Sequence, residues 1–350
     1  MSQLQLLFDE NTPIIYLQSN KLEENYKENK FQIFNEFSQR ILDEFNADPQ
    51  LVMCDYPELY SIIAKIIPTE KISFDTLPLD SAIACEIICA AICHKINWDF
   101  LRSEILKKTN DRPEWLNPFY LKNINEQEVL YMLSNYKKKE RIKAKERTEI
   151  LNSLGEILLK KKNNFIDILC NEKHRLKDFD SITAYFKEIR AFSNDPEEKK
   201  LRLVIQKISH YEGFQPLRNY ISPTIDYHII RSFLRRGLII PRTIYAAQYI
   251  FDVSKGRKEN TIASLRKLCS STIKNISAIT TIDIYTINQI EWWIGRSVCL
   301  GESPDCTLRY NDSQWLRPYF KKCPFYNVCM AINNKDYISL IEPKYTGNSY

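Results

Sequence analysis

Cys299, Cys306, Cys323 and Cys329 stand in one polar stretch, Glu291 to Cys329, with six residues between the first two and five between the last two. Each pair closes a polar or proline-containing loop and does not lie along an apolar helix face. Four thiolates gathered from such loops hold a [4Fe–4S] cluster or a structural zinc ion. Zinc knuckles usually bring their ligands in across gaps of about two to four residues. The wider gaps here point to iron, with zinc as the alternative.

A carboxylate is the second candidate. After a loop that runs to Pro223, a helix is expected to begin near Asp226, in Ile225-Asp226-Tyr227-His228-Ile229, with Arg231, Arg235 and Gly237 downstream. An acid at a helix start lies near the positive end of the helix dipole. A carboxylate fixed in this way suits an oxocarbenium-like transition state, whose positive charge it stabilises or whose anomeric carbon it attacks. Upstream, Asp195-Pro196 opens a helix that Gly213 is expected to close, and Lys200 and Lys207 share a face of it. Arg231, Arg235, Arg236 and Arg242 fall in a stretch free of acids, so Arg231 is a candidate phosphate ligand. Asn97 and Trp98 follow directly on the most apolar segment of the chain. Trp98 is placed to stack on a flat base and Asn97 to hydrogen-bond its edge. A core aromatic beside a capped helix end is the competing reading of that pair.

The elements that must carry these residues read as helices. The chain has 350 residues, 44% of them hydrophobic, which suffices for one large or two ordinary domains. Helical periods recur in Phe31, Ile33, Phe34, Phe37, Ile41 and Phe45, in Ala82 to about Lys95, in Asn125 to Leu133 and in Lys145 to Lys161. Further helices are expected over 244–251, Thr261 to Cys269 and Tyr285 to Ser297. Asn125 with Glu128 three residues on forms an N-cap signature. Cys85, Cys89 and Cys93 recur every fourth residue among Ile and Ala and read as core. Trp292 and Trp293 are expected to seal the cysteine loops against the helices. Alternating strand patterns are few and no internal repeat is found, so the class is all-α.

Composition narrows the functions. Seven glycines leave no glycine-rich phosphate loop of the P-loop or dinucleotide type. A formal charge of +5 is compatible with a nucleic-acid or nucleotide partner without requiring one. The basic run KKKERIKAKER at 137–147 reads as a solvated helix face. Neither a membrane span nor a signal peptide is evident, so a cytoplasmic location with no membrane partner is expected, and no protein partner is identifiable. Ten cysteines then imply ligands and buried thiols more than disulfides.

Two resemblances sharpen the expectation. Ile294-Gly295, Cys299, Pro304, Cys306, Cys323-Pro324 and Cys329 resemble the iron–sulfur loop of the endonuclease III and adenine-glycosylase branch of the helix-hairpin-helix (HhH-GPD) DNA glycosylases. Sixteen residues separate Cys306 from Cys323, where that family has two. Ile225 to Ile229 with Arg231 and Arg235-Arg236-Gly237 is similar to that family's catalytic segment. The family's Leu-Pro-Gly-Val-Gly hairpin is absent. The middle of the chain, about 90 to 295, more closely resembles the queuosine salvage protein family. It has Lys199-Lys200, the apolar Leu201 to Ile208, Glu212-Gly213 and Ile225-Asp226-Tyr227-His228-Ile229 in that family's order, and Ile96-Asn97-Trp98 resembles its Leu-Asn-Phe.

The resemblances imply a glycosylase-like helical fold over 1–290 in two lobes, a cluster loop over 291–330 and a tail over 331–350. They imply hydrolysis of the N-glycosidic bond of a modified purine or 7-deazaguanine nucleoside or nucleotide, with Asp226 as the catalytic carboxylate. Asn97, Trp98, Lys207, His228 and Arg231 would bind substrate, and Cys299, Cys306, Cys323 and Cys329 would hold the cluster. Archaeal 8-oxoguanine glycosylases place a functional lysine in an Asp-Pro-x-x-Lys helix, which makes Lys200 a second catalytic candidate, with Lys207 beside it. The alternatives are an iron–sulfur DNA glycosylase of base excision repair and a non-catalytic nucleic-acid-binding relative.

Overall fold

The computed structural model describes residues 31–33, 56–68, 72–173, 175–193, 195, 198–241, 259–301, 303–333, 335–338 and 340. These are mostly helical. A short strand β1 (Phe31–Ile33) is followed by helices α1 (Tyr56–Ile66), α2 (Leu79–Ile92), α3 (Trp98–Asp111), α4 (Pro118–Asn123), α5 (Glu126–Met132), α6 (Ala144–Lys161), α7 (Phe179–Glu188), α8 (Lys199–Ile208) and α9 (Tyr227–Arg236). Strand β2 (Ile239–Pro241), α10 (Glu259–Thr280) and α11 (Ile284–Ser297) complete the longer elements. Among the described residues no helix is long and apolar enough to cross a membrane.

The chain divides into two compact units. One unit takes β1, α1 and the described residues from Ser222 to Leu340. The other takes those from Ile72 to Ile221.

The second unit is built around α2, whose residues Ala82 to Ile92 are all buried. A helix apolar on every side has no solvent face to offer, so its neighbours must enclose it. Cys85 and Cys89 are core residues there, as expected, while Cys93 caps the C-terminus of α2 and is half-buried. The enclosing elements carry the local signals the sequence supplied. Asn125 and Glu128 form a reciprocal capping box at the start of α5, and Asp178 caps α7 through the Ser181 amide.

The last carbonyls of α2 have no partners within the helix. Two buried cations from other helices supply them. Arg147 on α6 donates to the carbonyls of Ile92 and His94, and the Lys200 Nζ donates to Ala91 O at 2.8 Å. Arg147 belongs to the basic run read as a solvated face, but it is fully buried.

In the first unit, α9 lies against α10 and α11, and everything from Ile229 to Arg236 is buried. Helix α11 starts at an Asp283 cap and turns Ile287, Ile290 and Ile294 into the same core. Gly295 lets the two helices meet. A Cβ at this position would fall 2.4 Å from the carbonyl oxygen of His228, so no other residue permits this approach. Gly237 ends α9 in the left-handed conformation, φ +75°, with its own amide and that of Leu238 returning to Leu234 and Phe233.

Two sequence expectations change. Phe31 and Ile33, expected to begin a helix that runs on through Phe34, Phe37, Ile41 and Phe45, lie in a strand instead. It pairs antiparallel with β2, Gln32 opposite Ile240. Backbone pairing with a distant segment overrides the local helical period. The positions beyond Ile33 in that segment lie outside the described residues, as do Arg242, Pro196 and the helix expected over 244–251. Helix α8 ends at Ile208, ahead of Gly213, which forms a separate turn at φ +85°.

Candidate functional site

Helix α9 organises the candidate site, with a carboxylate at its N-terminus and arginines along its length. The segment before it is extended and pinned to α11. The Thr224 amide donates to Asn288 Oδ1 at 2.6 Å, and Asn288 Nδ2 returns to Thr224 O. Asp226 is then the N-cap, as the sequence predicts. Its Oδ1 accepts the amides of His228 at 2.9 Å and Ile229 at 3.2 Å. The second oxygen, Oδ2, accepts the indole N–H of Trp292 at 2.8 Å from the facing helix α11. A carboxylate oxygen accepts two hydrogen bonds, so Oδ2 keeps one further acceptor position. Asp226 is 8% exposed.

His228 and Arg231 are drawn to the same place. Arg231 Nη2 lies 2.8 Å from His228 Nδ1. A guanidinium only donates, so Nδ1 accepts and the ring proton sits on Nε2. Arg231 also donates to the backbone, Nε to Cys299 O at 2.6 Å and Nη2 to Gly295 O at 3.1 Å. Arg231 thus joins the carboxylate end of α9 to the first cysteine. The His228 ring is edge-on to Trp292 at 6.4 Å and tilted against Tyr227 at 4.0 Å.

Further along α9, Arg235 faces the cysteine loops. Its Nη1 lies 3.7 Å from Cys299 Sγ, Nε donates to Leu340 O, and Nη2 donates to Gly301 O at 2.6 Å. The Cys329 thiol is directed to the Arg235 carbonyl at 3.7 Å. Arg236 forms a buried ion pair with Glu291 of α11 at 2.5 Å, which also binds the Tyr60 hydroxyl, and its guanidinium lies 3.8 Å from the centre of the Phe325 ring. These contacts fix both loops to one helix.

None of the four cysteines is in a disulfide. The Cys323 amide donates to Cys306 O at 2.9 Å, which ties the two loops together. Burial pushes the thiols of Cys306, Cys323 and Cys329 up, Cys329 to about 11. Cys299 adds to the rise at Cys306 and at Cys329, and Cys306 adds to it at Cys323 and at Cys329. Arg235 and Arg236 oppose these rises. Among the described residues, no three His, Cys, Asp or Glu side chains converge on one metal-ion position. The donor set itself fits a thiolate-bound metal group: four thiols within mutual electrostatic reach, beside two buried cations that offset thiolate charge.

The remaining candidates lie in the second unit. Lys200 is 2% exposed, and burial lowers its ammonium below the usual lysine range. A lysine desolvated in this way is a nucleophile in waiting, but its Nζ is bonded to Ala91 O. Lys207 is buried on the same helix. Asn97 caps α3, its Oδ1 accepting the Phe100 amide at 2.9 Å. Trp98 opens that helix, half-buried, with the Arg102 guanidinium 5.3 Å from its ring. The capped-end reading of Asn97 is therefore realised in the structure.

Sequence reasoning missed the link between Trp292 and Asp226. It assigned both tryptophans to the cysteine loops, whereas Trp292 donates to the carboxylate and Trp293 packs near Trp315, 6.2 Å away. A helical period carries the signal in hindsight, since Asn288, Glu291, Trp292 and Gly295 share the side of α11 turned to α9. No protein-family model and no curated protein matches the chain.

Proposed function

We propose that the protein hydrolyses the N-glycosidic bond of a nucleoside unit bearing a modified purine or 7-deazaguanine base, with Asp226 as the catalytic carboxylate. The observation that carries this reading is the fixing of Asp226 by two helix amides and one indole N–H, with an acceptor position left on Oδ2. In the reaction the C1′–N bond breaks and its electron pair leaves with the base. Water adds hydroxide to C1′ and its proton ends on the base. A carboxylate that needs no reorganisation stabilises the sugar cation between those events, or attacks C1′ itself and is displaced by the water. His228, with its proton on Nε2, is a candidate donor to the departing base, and Arg231 holds that ring in place.

The four cysteines would hold a [4Fe–4S] cluster, with zinc as the alternative occupant of the same thiolates. The cluster's contribution is structural: four metal–thiolate bonds would pin the C-terminal loops to α9. A second reading, a base carried in DNA, is favoured by the direct joining of cysteine loops and carboxylate helix through Arg231.

The test is turnover of nucleosides, nucleotides and base-modified oligonucleotides by the wild type and by Asp226→Asn. Release of free base by the wild type with loss in the variant is expected. An unchanged rate in Asp226→Asn would overturn the assignment. Iron and sulfide analysis after anaerobic purification tests the cluster separately. About four irons per chain are expected, as for a cubane, and they should be lost in a Cys323→Ala, Cys329→Ala variant.

A further inference from the structure

The sixteen residues between Cys306 and Cys323 carry four cations, Arg309, Arg317, Lys321 and Lys322, against one acid, Asp312. All four cations are exposed, and so are two aromatic rings between them, Tyr310 at 48% and Tyr319 at 59%.

Internal bonds hold the segment in shape. Buried Asp305 accepts the amides of Arg309 and Tyr310, each at 2.7 Å, and the Ser313 hydroxyl. Arg317 closes the segment's end onto its start, donating to the carbonyls of Leu308, Arg309 and Tyr310. Leu316 is fully buried, and Trp315 donates to Ser297 Oγ on α11 at 3.0 Å. The two rings stay at the surface of a segment that buries Ser313 and Leu316, and four cations lie beside them.

We infer that this segment is a docking surface for a polynucleotide strand with unstacked bases. The cations match phosphates, and tyrosine faces stack on any base that a duplex does not cover. The Cys299–Cys306 loop offers no such match, since it carries the acids Glu302 and Asp305 and no cation. An aromatic row leads from the segment to the carboxylate: Trp315 to Trp293 at 6.2 Å, Trp293 to Trp292 at 5.2 Å, and Trp292 to Asp226 by its hydrogen bond. The surface stands without the reaction at Asp226. Joined to that reading, on which this step rests, it makes the substrate a nucleotide within a strand.

The experiment is fluorescence anisotropy of the full chain with labelled single-stranded DNA and RNA of mixed sequence, the same sequence as duplex, and polyglutamate, each at several salt concentrations. Single strands are expected to bind more tightly than duplex or polyglutamate. Tyr310→Ala, Tyr319→Ala should weaken single-strand binding by about 10-fold or more, at about 1–3 kcal/mol per stacked base, with the salt slope kept. Arg309→Gln, Lys321→Gln, Lys322→Gln should reduce that slope by about 2, at ~0.7 per phosphate. Thermal melts of both variants should match the wild type, because every altered side chain is exposed. Binding of single strands that is absent at low salt, unaltered in both variants, or no tighter than binding of polyglutamate overturns the proposal. Asp226→Asn should bind single strands as the wild type does, so failure of the glycosidic reading is scored by turnover and failure of this surface by binding.

Discussion

Asp195 and Asp226 look alike in sequence, each an acid at the start of a basic, amphipathic helix, yet the two units use them differently. Asp195 Oδ2 accepts the Lys200 amide at 2.7 Å, and its buried Oδ1 has no hydrogen-bond partner among the described residues. Asp226 has both oxygens held, and the second is held from another helix by Trp292. The cations differ in the same way. In the second unit Arg147 and Lys200 are consumed by the carbonyl end of α2, whereas in the first Arg231 and Arg235 reach an imidazole and a thiol. Arg231 and Arg235 bond backbone carbonyls too, so what sets the first unit apart is the additional reach of those arginines to His228 and Cys299.

The strongest way to break this contrast is to exchange the two acids for amides. Asn caps a helix about as well as Asp, so Asp226→Asn should keep the fold while its turnover falls by about 100- to 1000-fold, the usual cost of losing one element of transition-state charge stabilisation. Asp195→Asn should leave turnover within about 2-fold and keep the fold as well, since Asn can still accept the Lys200 amide. Equal losses of activity in both variants would show that the carboxylates are doing the same structural job.

Trp292→Phe sharpens the comparison by deleting only the donor that distinguishes the two acids. A hydrogen bond to a charged group is worth about 1.5–3 kcal/mol, so turnover should drop by about 10- to 150-fold. The ring contacts with His228 and Trp293 should largely persist in the phenyl group. The effect should appear in kcat rather than KM if the indole positions the carboxylate without touching substrate. A variant with wild-type kcat would reduce Trp292 to packing.

What was legible in sequence follows the range of each interaction. The Asp226 cap, the Asn125–Glu128 box and the start of α11 depend on residues within one helical turn and are read directly. The cysteine spacing suggested a common site; the structure ties the two loops together through the Cys323 amide and the Cys306 carbonyl, and among the described residues no three ligating side chains converge. The Trp292–Asp226 bond and the pairing of β1 with β2 join residues far apart in the chain; the period of α11 marks the face that carries Trp292 but does not name its partner, and nothing local encodes the strand pairing. Arg147 was misread for a related reason. Its basic neighbours are exposed, and only the unpaired carbonyls of α2 require one member of the run to be buried.

The smallest effect separates the two units by acid titration. His94 follows α2 and is 1% exposed, and among the described residues neither ring nitrogen has a hydrogen-bond partner. Burial first, and then the charges of Arg147, Lys200, Lys95 and Lys143, hold it down at about 2. Glu146 faces it at 3.5 Å, but a neutral imidazole makes no ion pair. The unfolded chain, with histidine near its ordinary value of ~6.5, binds a proton below that pH that the folded chain refuses. The resulting stability is fully present above pH ~6.5 and is lost as pH falls toward 2, at about 1.4 kcal/mol per pH unit for one proton. His94→Leu forfeits no hydrogen bond, so between about pH 5 and 6.5, above the ordinary carboxylate range, its unfolding free energy should lose this slope. Chemical denaturation followed by circular dichroism reads the difference. Identical slopes in the two proteins would mean that His94 takes up its proton without unfolding the helices around it.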